Sequence, residues 1–311
     1  MSFARVAIIG LGLLGGSVGL AIQRSLPDCR TVGWDRDAAV RERAEEISLV
    51  GTVAATAAEA VEGAELVILC VPVGAMPDAA AAIAPGLEPD VIISDVGSSK
   101  QKVGELLRAA LPEAIVIPAH PVAGTEKSGP DAGFADLFHN RWCILTPDAD
   151  APTRATEKLA SFWTALGARI EIMDAAHHDL VLAVTSHIPH LIAFTIVGTA
   201  SDLEQVTQGE VIKYSAGGFR DFTRIAASDP TMWRDVFLSN REAVLEMLGR
   251  FTEDLTAMQR AVRSGDGDAL FALFERTRAI RRQVIEQGQD DARPDFGRAD
   301  HRSSERPPLK G

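Results

Sequence analysis

Two clusters of polar residues follow apolar runs of strand type: SDVGSSK, Ser94 to Lys100, and AHPVAGTEKSGPDAG, Ala119 to Gly133. Both strand ends are expected to open onto the crevice where parallel α/β sheets bind ligands. His120 precedes Pro121, which biases its backbone to an extended form, and its imidazole is suited to act as a base near neutral pH. A lone histidine is more often structural. The catalytic reading gains here from the strand end and from the Gly-rich loop that follows with Glu126 and Lys127. Ser99 is placed to hydrogen-bond that imidazole or a substrate hydroxyl; the alternative is a cap on the next helix.

Further along, TSHIPHLIAF sets His187 and His190 three residues apart, one helical turn, so both can face one side. No Asp, Glu or Cys completes a zinc set, so no metal is expected, and the pair reads as substrate contacts or as buried, hydrogen-bonded histidines. Downstream, SAGGFRDFTRIAASDPTMWRD gathers Arg220, Asp221, Arg224, Asp229, Trp233 and Arg234 among glycines. An arginine aimed at a crevice is the natural bidentate clamp for a carboxylate, and Arg224 is the residue chosen.

The strand-like RVAIIG runs into Gly10-Leu11-Gly12-Leu13-Leu14-Gly15, and a helical pattern follows at once. Gly10 makes the tight turn, Gly12 admits a pyrophosphate to the backbone, and Gly15 lets helix and strand approach, while the helix N-terminus supplies N–H groups and dipole. Asp35 closes the next strand, where a carboxylate accepts from ribose hydroxyls and repels a 2′-phosphate, which favours NAD. Arg36 beside it keeps NADP open. Val71, Pro72 and Val73 end a third strand where the nicotinamide half would lie, or serve as packing. Asp95, in the first cluster, is assigned to the cofactor with them.

These residues need a scaffold, and 311 residues suit two domains. Hydrophobic residues make up 46% and charged residues 24%, a globular composition, and the net charge of -12 opposes nonspecific nucleic-acid binding. Cys29, Cys70 and Cys143 are odd in number and scattered, which suggests reduced, buried residues rather than disulfides or metal ligands. The N-terminal glycines argue against a signal peptide, and no stretch offers about 18 uninterrupted apolar residues, so a cytoplasmic protein without a membrane partner is expected.

RVAIIG, RTVGWD, ELVILCV, DVIISDVG, AIVIPAHP and RWCILTP alternate with helical patterns, including Asp35 to Ile47 and Ser98 to Leu111, the latter with a possible Ser cap. That pattern predicts an α/β Rossmann domain, a doubly wound and mainly parallel sheet, over residues 1–173. Pro152 to Leu166 as helix and Ala168 to Met173 as strand are expected to extend the sheet. After Asp174 long helical patterns predict an all-helical domain over 174–286, and the polar stretch 287–311 reads as a disordered tail.

The blocks GLGLLGGS, SDVGSSK, HPVAGTEKSGPDAG, TSHIPH and GFRDFTRIAASDPTMW together resemble the prephenate and arogenate dehydrogenase family, the cyclohexadienyl dehydrogenases of tyrosine biosynthesis, over roughly residues 4 to 285. The resemblance implies a Rossmann domain followed by a helical dimerisation domain, hence a homodimer, and NAD-linked oxidative decarboxylation of prephenate or arogenate. It also implies that His120 deprotonates the ring hydroxyl beside Ser99, that Arg224 binds a carboxylate, that His190 lies near the substrate, and that Glu126 and Asp221 form an ionic gate with Arg224. Trp233 matches a pocket tryptophan. Thr125 is not acidic and Glu126 is, which suggests that both substrates are accepted. The tail leaves no room for a folded regulatory module, and no mutase domain is expected before Arg5.

Two rivals remain at this level. A β-hydroxyacid-type dehydrogenase would use a lysine of the second domain, for which Lys213 is a poor candidate beside Gly217 and Gly218. A non-catalytic NAD sensor would have no need for His120 and Arg224 together.

Overall fold

The computed structural model describes residues 3–125, 127–207 and 217–286; Glu126, Lys213 and the tail from Gln287 lie outside them. Six strands form one parallel sheet: β1 (Arg5–Ile9), β2 (Arg30–Trp34), β3 (Thr52–Val53), β4 (Leu66–Leu69), β5 (Ile92–Asp95) and β6 (Ile115–Val116). Their spatial order is β3-β2-β1-β4-β5-β6, so the chain reverses direction across the sheet between β1 and β4 and leaves a crevice at their carboxyl ends.

Period-two alternation fills both faces of this sheet. Val6, Ile8, Leu66 and Ile68 pack with α1 (Leu13–Ser25) and α6 (Thr153–Ala165) through Val18, Ile22, Phe162 and Trp163. Ala7, Ile9, Val67 and Leu69 pack with α3 (Ala57–Val61), α4 (Met76–Ile83) and α5 (Gln101–Ala110). Local signals start several helices: Asp37 caps α2 (Ala38–Glu46) by accepting from Ala39 N, and Thr56 with Glu59 forms a capping box on α3.

Three expectations are corrected. The run AIVIPAHP is not one strand, because Pro118 has no N–H to give a ladder, and the chain divides there into β6 and β7 (Ala119–Pro121). The segments expected to extend the main sheet form a second one: β7 pairs antiparallel with β8 (Trp142–Leu145), which pairs parallel with β9 (Arg169–Ile172). The start of α5 is not capped by a serine of SDVGSSK, and its cap comes from a distant acid described below.

From Ala175 to Thr207 one helical run contains α7 (Ala175–Leu182), a π turn over Ala183–His187, and α8 (Ile188–Thr207). Asp174 begins it by accepting from Ala176 N and His177 N. Among the described residues, Ala175–Asp202 is long and apolar enough to cross a membrane by length and composition, with mean hydropathy 1.9. It nonetheless buries His178, Asp179 and His187 and exposes Val184, Ile196 and Val197. A helix over Gly217–Thr223, a 3-10 turn over Arg224–Ala227 and a helix over Pro230–Ser239 follow, the last begun by Asp229 accepting from Met232 N.

Compact units divide at Met247 and Leu248. In the second, the described part is the remainder of the Arg241–Ser264 helix, a turn in which Gly265 takes φ +68°, and the helix Gly267–Glu286. Its exposed apolar residues include Leu255, Val262, Phe271, Phe274 and Ile280.

Candidate active site

At the crevice, Gly10 takes φ +96°, and a Cβ on it would lie 2.5 Å from the Cys70 carbonyl oxygen. A Cβ on Gly15 would lie 1.8 Å from the Gly10 oxygen, so both glycines are required by the protein's own packing. Gly12 differs: a Cβ there meets no protein atom within 4 Å. It occupies the N-cap of α1 with no side-chain cap and no acid in the first turn, which leaves the helix amides open to an anion.

Asp35 stands beside this turn. Its Oδ2 accepts from Leu11 N at 2.9 Å and its Oδ1 from Asp37 N at 3.0 Å, which aims the carboxylate and leaves each oxygen able to accept from a ribose hydroxyl. Arg41 donates to the carbonyls of Asp35 and Arg36, while the Arg36 side chain is exposed. The Leu11 side chain is fully buried, so only its backbone faces the turn; Leu13 and Leu14 are half-buried. Val71 and Pro72, half-buried and exposed, follow β4. These groups fit a dinucleotide with a free 2′-hydroxyl.

Asp95 does not belong with them. It is completely buried, and its carboxylate accepts from Lys100 Nζ, Gly97 N and Ala119 N. Lys100 Nζ also donates to Ala119 O at 2.8 Å. The pair fixes the backbone beside the candidate base and leaves no surface for a ligand.

His120 sits in β7 opposite Ile144, with 8% of its surface exposed. Its Nδ1 lies 2.9 Å from Nε2 of His178, and the ring centroids are 5.1 Å apart. Burial pushes the His120 pKa well below 6.5, and His178, Lys100 and His187 push it the same way. Ser99 neither caps α5 nor bonds this nitrogen: it is buried and donates to Ser239 Oγ at 2.9 Å. Thr125 is half-buried, and its Oγ1 accepts from Lys127 N. After this loop, Phe134 N donates to Ser17 Oγ, and Gly133 packs against Gly16 and Ser17, so the segment after His120 rests on the first turns of α1.

The helical side brings a second group together. The rings of His190 and Trp233 stack at 3.7 Å and 24°, and His187 meets the same indole edge-on at 6.0 Å. His190 Nδ1 donates to Ser186 O at 2.9 Å; burial lowers its pKa, and the Arg224 charge adds to the effect. Arg224 is exposed at the start of its 3-10 turn, and Asp221 is exposed one turn earlier. His187 is fully buried: Asn240 Nδ2, which also donates to Asp179 O at 2.8 Å, donates to His187 Nδ1 at 3.1 Å. Burial carries the His187 pKa down to about 4.

Sequence reasoning missed Lys100, His178, Asp179, Ser239 and Asn240. The usable signal was the His178-Asp179 pair, an ionisable dipeptide inside an otherwise apolar helical run. All three cysteines are free thiols; Cys143 is buried, while Cys29 and Cys70 are only half-buried.

A 3-2-1-4-5-6 sheet, an uncapped helix N-terminus beside an aimed carboxylate, and a buried imidazole with a neutral ring together define a nicotinamide-dependent dehydrogenase plan. The chain belongs to the prephenate dehydrogenase family. It matches "Prephenate dehydrogenase, nucleotide-binding domain" over residues 18–172 and "Prephenate dehydrogenase, dimerization domain" over 174–276. It is 46% identical to the cyclohexadienyl dehydrogenase of Zymomonas mobilis, covering 90% of this chain and 95% of that one. With the prephenate dehydrogenase of Bacillus subtilis it shares 34% identity over 89% and 75% of the two chains. The fold is similar to the crystal structure of prephenate dehydrogenase from Aquifex aeolicus in complex with hydroxyphenyl propionate and NAD+, with TM-score 0.83, 31% identity, and coverage of 92% and 99%.

Proposed function

We propose that this protein catalyses the NAD-dependent oxidative decarboxylation of prephenate and arogenate, giving 4-hydroxyphenylpyruvate and tyrosine. The observation that carries the reading is His120: a buried, neutral imidazole whose Nδ1 is occupied by His178, at the end of the strand that leads into the loop resting on α1. Residues 1–173 would hold the cofactor, through the open amides of α1 and the Asp35 carboxylate. Residues 174–286 would complete the substrate pocket and form a homodimer, which the dimerization-domain match and the exposed Ile196 and Val197 support.

In this reading Arg224 clamps a substrate carboxylate, Trp233 and His190 form a flat wall beside it, and Thr125 lies near the side-chain keto or amino group. Ser99 fixes the wall behind the base. His120 takes the proton of the ring hydroxyl as C4 becomes a carbonyl carbon. Held by the open amides of α1 and by Asp35, a nicotinamide would supply the acceptor for the C4 hydride. The electrons of the bond to the ring carboxylate then complete the aromatic ring as CO2 departs, and the C4 oxygen recovers the proton held by His120. A held base, a carboxylate clamp and exclusion of water are what the protein must supply.

The test is formation of reduced nicotinamide and CO2 by the purified protein with each substrate, alone and in competition. Turnover of both is expected. No signal with either overturns the reading, and a signal only with a 3-hydroxyacid would favour the β-hydroxyacid alternative.

A further inference from the structure

We propose that His178 and Asp179 are positioning residues that fix the tautomer and the orientation of His120, leaving the base's free lone pair at Nε2. The inference rests on His120 being the base, and it deepens that reading by naming what sets the base from the helical segment.

The hydrogen bonds determine the proton positions in order. The Asp179 carboxylate accepts from two backbone amides at the start of α5, Lys100 N at 2.7 Å and Gln101 N at 3.1 Å, which anchors it between α7 and α5. An ionised carboxylate only accepts, so the 2.8 Å contact from His178 Nδ1 to Asp179 Oδ1 requires the proton on Nδ1 of His178. Burial lowers the His178 pKa, so that ring is neutral and its Nε2 holds a lone pair. The 2.9 Å contact between His178 Nε2 and His120 Nδ1 then requires His120 to donate. A neutral imidazole has one N–H, so His120 Nε2 is left bare.

The same chain responds in the right direction during proton transfer. When His120 gains a proton at Nε2, its Nδ1–H still faces a lone pair with an anion behind it. The other charged or titratable groups facing these rings are Lys100 and His187 toward His120, and Lys100, Asp95 and His187 toward His178. Lys100 and His187 oppose the imidazolium, and the chain ending in Asp179 is the arrangement that supports it. A base on β7 is thus set by residues of α7, 58 positions away in sequence.

Asp179→Asn tests this without changing size. An amide has one accepting oxygen for three donors, since Oδ1 accepts from both Lys100 N and His178 Nδ1 and Oδ2 from Gln101 N, so the variant sets its NH2 against a backbone N–H and removes the anion that holds the His178 proton on Nδ1 and supports the His120 imidazolium. The expected result is a fall in kcat of about 100-fold or more, with the NAD Kd and the circular-dichroism spectrum unchanged. His178→Gln, whose amide oxygen can accept from His120 Nδ1, should retain kcat within about tenfold, and His178→Phe should lose about 100-fold. Unchanged kcat in Asp179→Asn, or equal losses in the Gln and Phe variants, overturns the proposal. Histidine 15N chemical shifts of the labelled wild-type protein read the tautomers without any turnover. A protonated Nδ1 and bare Nε2 on His120 support the relay even if neither cyclohexadienyl substrate reacts, and the opposite pattern overturns it even if both do.

Discussion

Lys100 and Asp95 form an ion pair in which neither side chain has any solvent exposure, and Lys100 Nζ reaches on to the carbonyl of Ala119, the residue before His120. Burial pushes the Lys100 pKa down and the Asp95 pKa up, each against the pull of its partner. The pair therefore ties the end of β5 to β7. Lys100→Ala would strand the Asp95 carboxylate and is expected to destabilise the protein by about 3–5 kcal/mol, whereas the double change Lys100→Met with Asp95→Asn should recover part of that loss. Denaturant unfolding of the three variants checks this; equal stability of Lys100→Ala and wild type would refute it.

Acid should destabilise the fold through its buried histidines. The His187 pKa is about 4 in the folded chain and about 6.5 in an unfolded one, so between those values the unfolded chain binds more protons and stability rises with pH. Its contribution is complete above pH 6.5 and is lost as pH falls toward 4. It amounts to about 3 kcal/mol. His120 and His178 shift in the same direction. Unfolding free energies measured over this window should show the slope, and a His187→Asn variant should flatten it.

Activity should tolerate the same acid better than a free imidazole would. Because the His120 pKa lies well below 6.5, kcat/KM is expected to stay level through that pH and to fall only further into the acid range. A profile of kcat/KM that drops by half near 6.5 would show that another group is the essential base.

The clamp and the base separate in kinetics. Arg224→Gln is expected to raise the substrate KM by about 10–100-fold while the NAD Kd is unchanged, and Arg224→Lys should recover little if the contact is bidentate. Full recovery by lysine would show a point charge to be sufficient.

Two neighbouring glycines should fail in opposite ways. Gly15→Ala forces a Cβ to within 1.8 Å of a backbone oxygen and should cost stability, with a lower Tm. Gly12→Ala meets no protein atom and has a φ of -78°, so Tm should be preserved and the NAD Kd weakened. The measurement is Tm and NAD titration on both.

The cofactor half of this molecule is legible in sequence because its parts are local: a strand, a glycine turn and a helix within 25 residues of the start, then an acid closing the next strand. His120 is legible for the same reason, as a polar residue at the end of an apolar run. The network behind it is not. Its bonds join residues 58, 79 and 140 apart, and no periodicity announces which buried helix will face which strand end. Asp95 misleads because its position at the end of a strand is that of a ligand contact, and only its burial with Lys100 shows otherwise. The second sheet was hidden by Pro118, since a single apolar run gives no sign that it feeds two ladders.

The π turn at Ala183–His187 joins two tasks on one helix. Ile188 N donates to Ala183 O, five residues back, so this stretch winds more slowly than its flanks. In an unbroken α-helix the eight steps from Asp179 to His187 would separate them by roughly 80° around the axis. The wider turn removes much of that offset, and one Asn240 amide group reaches the backbone of the first and the ring of the second. Rewinding this stretch as regular α-helix at its full length would act like a slipped gear tooth: every residue after it, His190 included, would swing away from the partners it now meets.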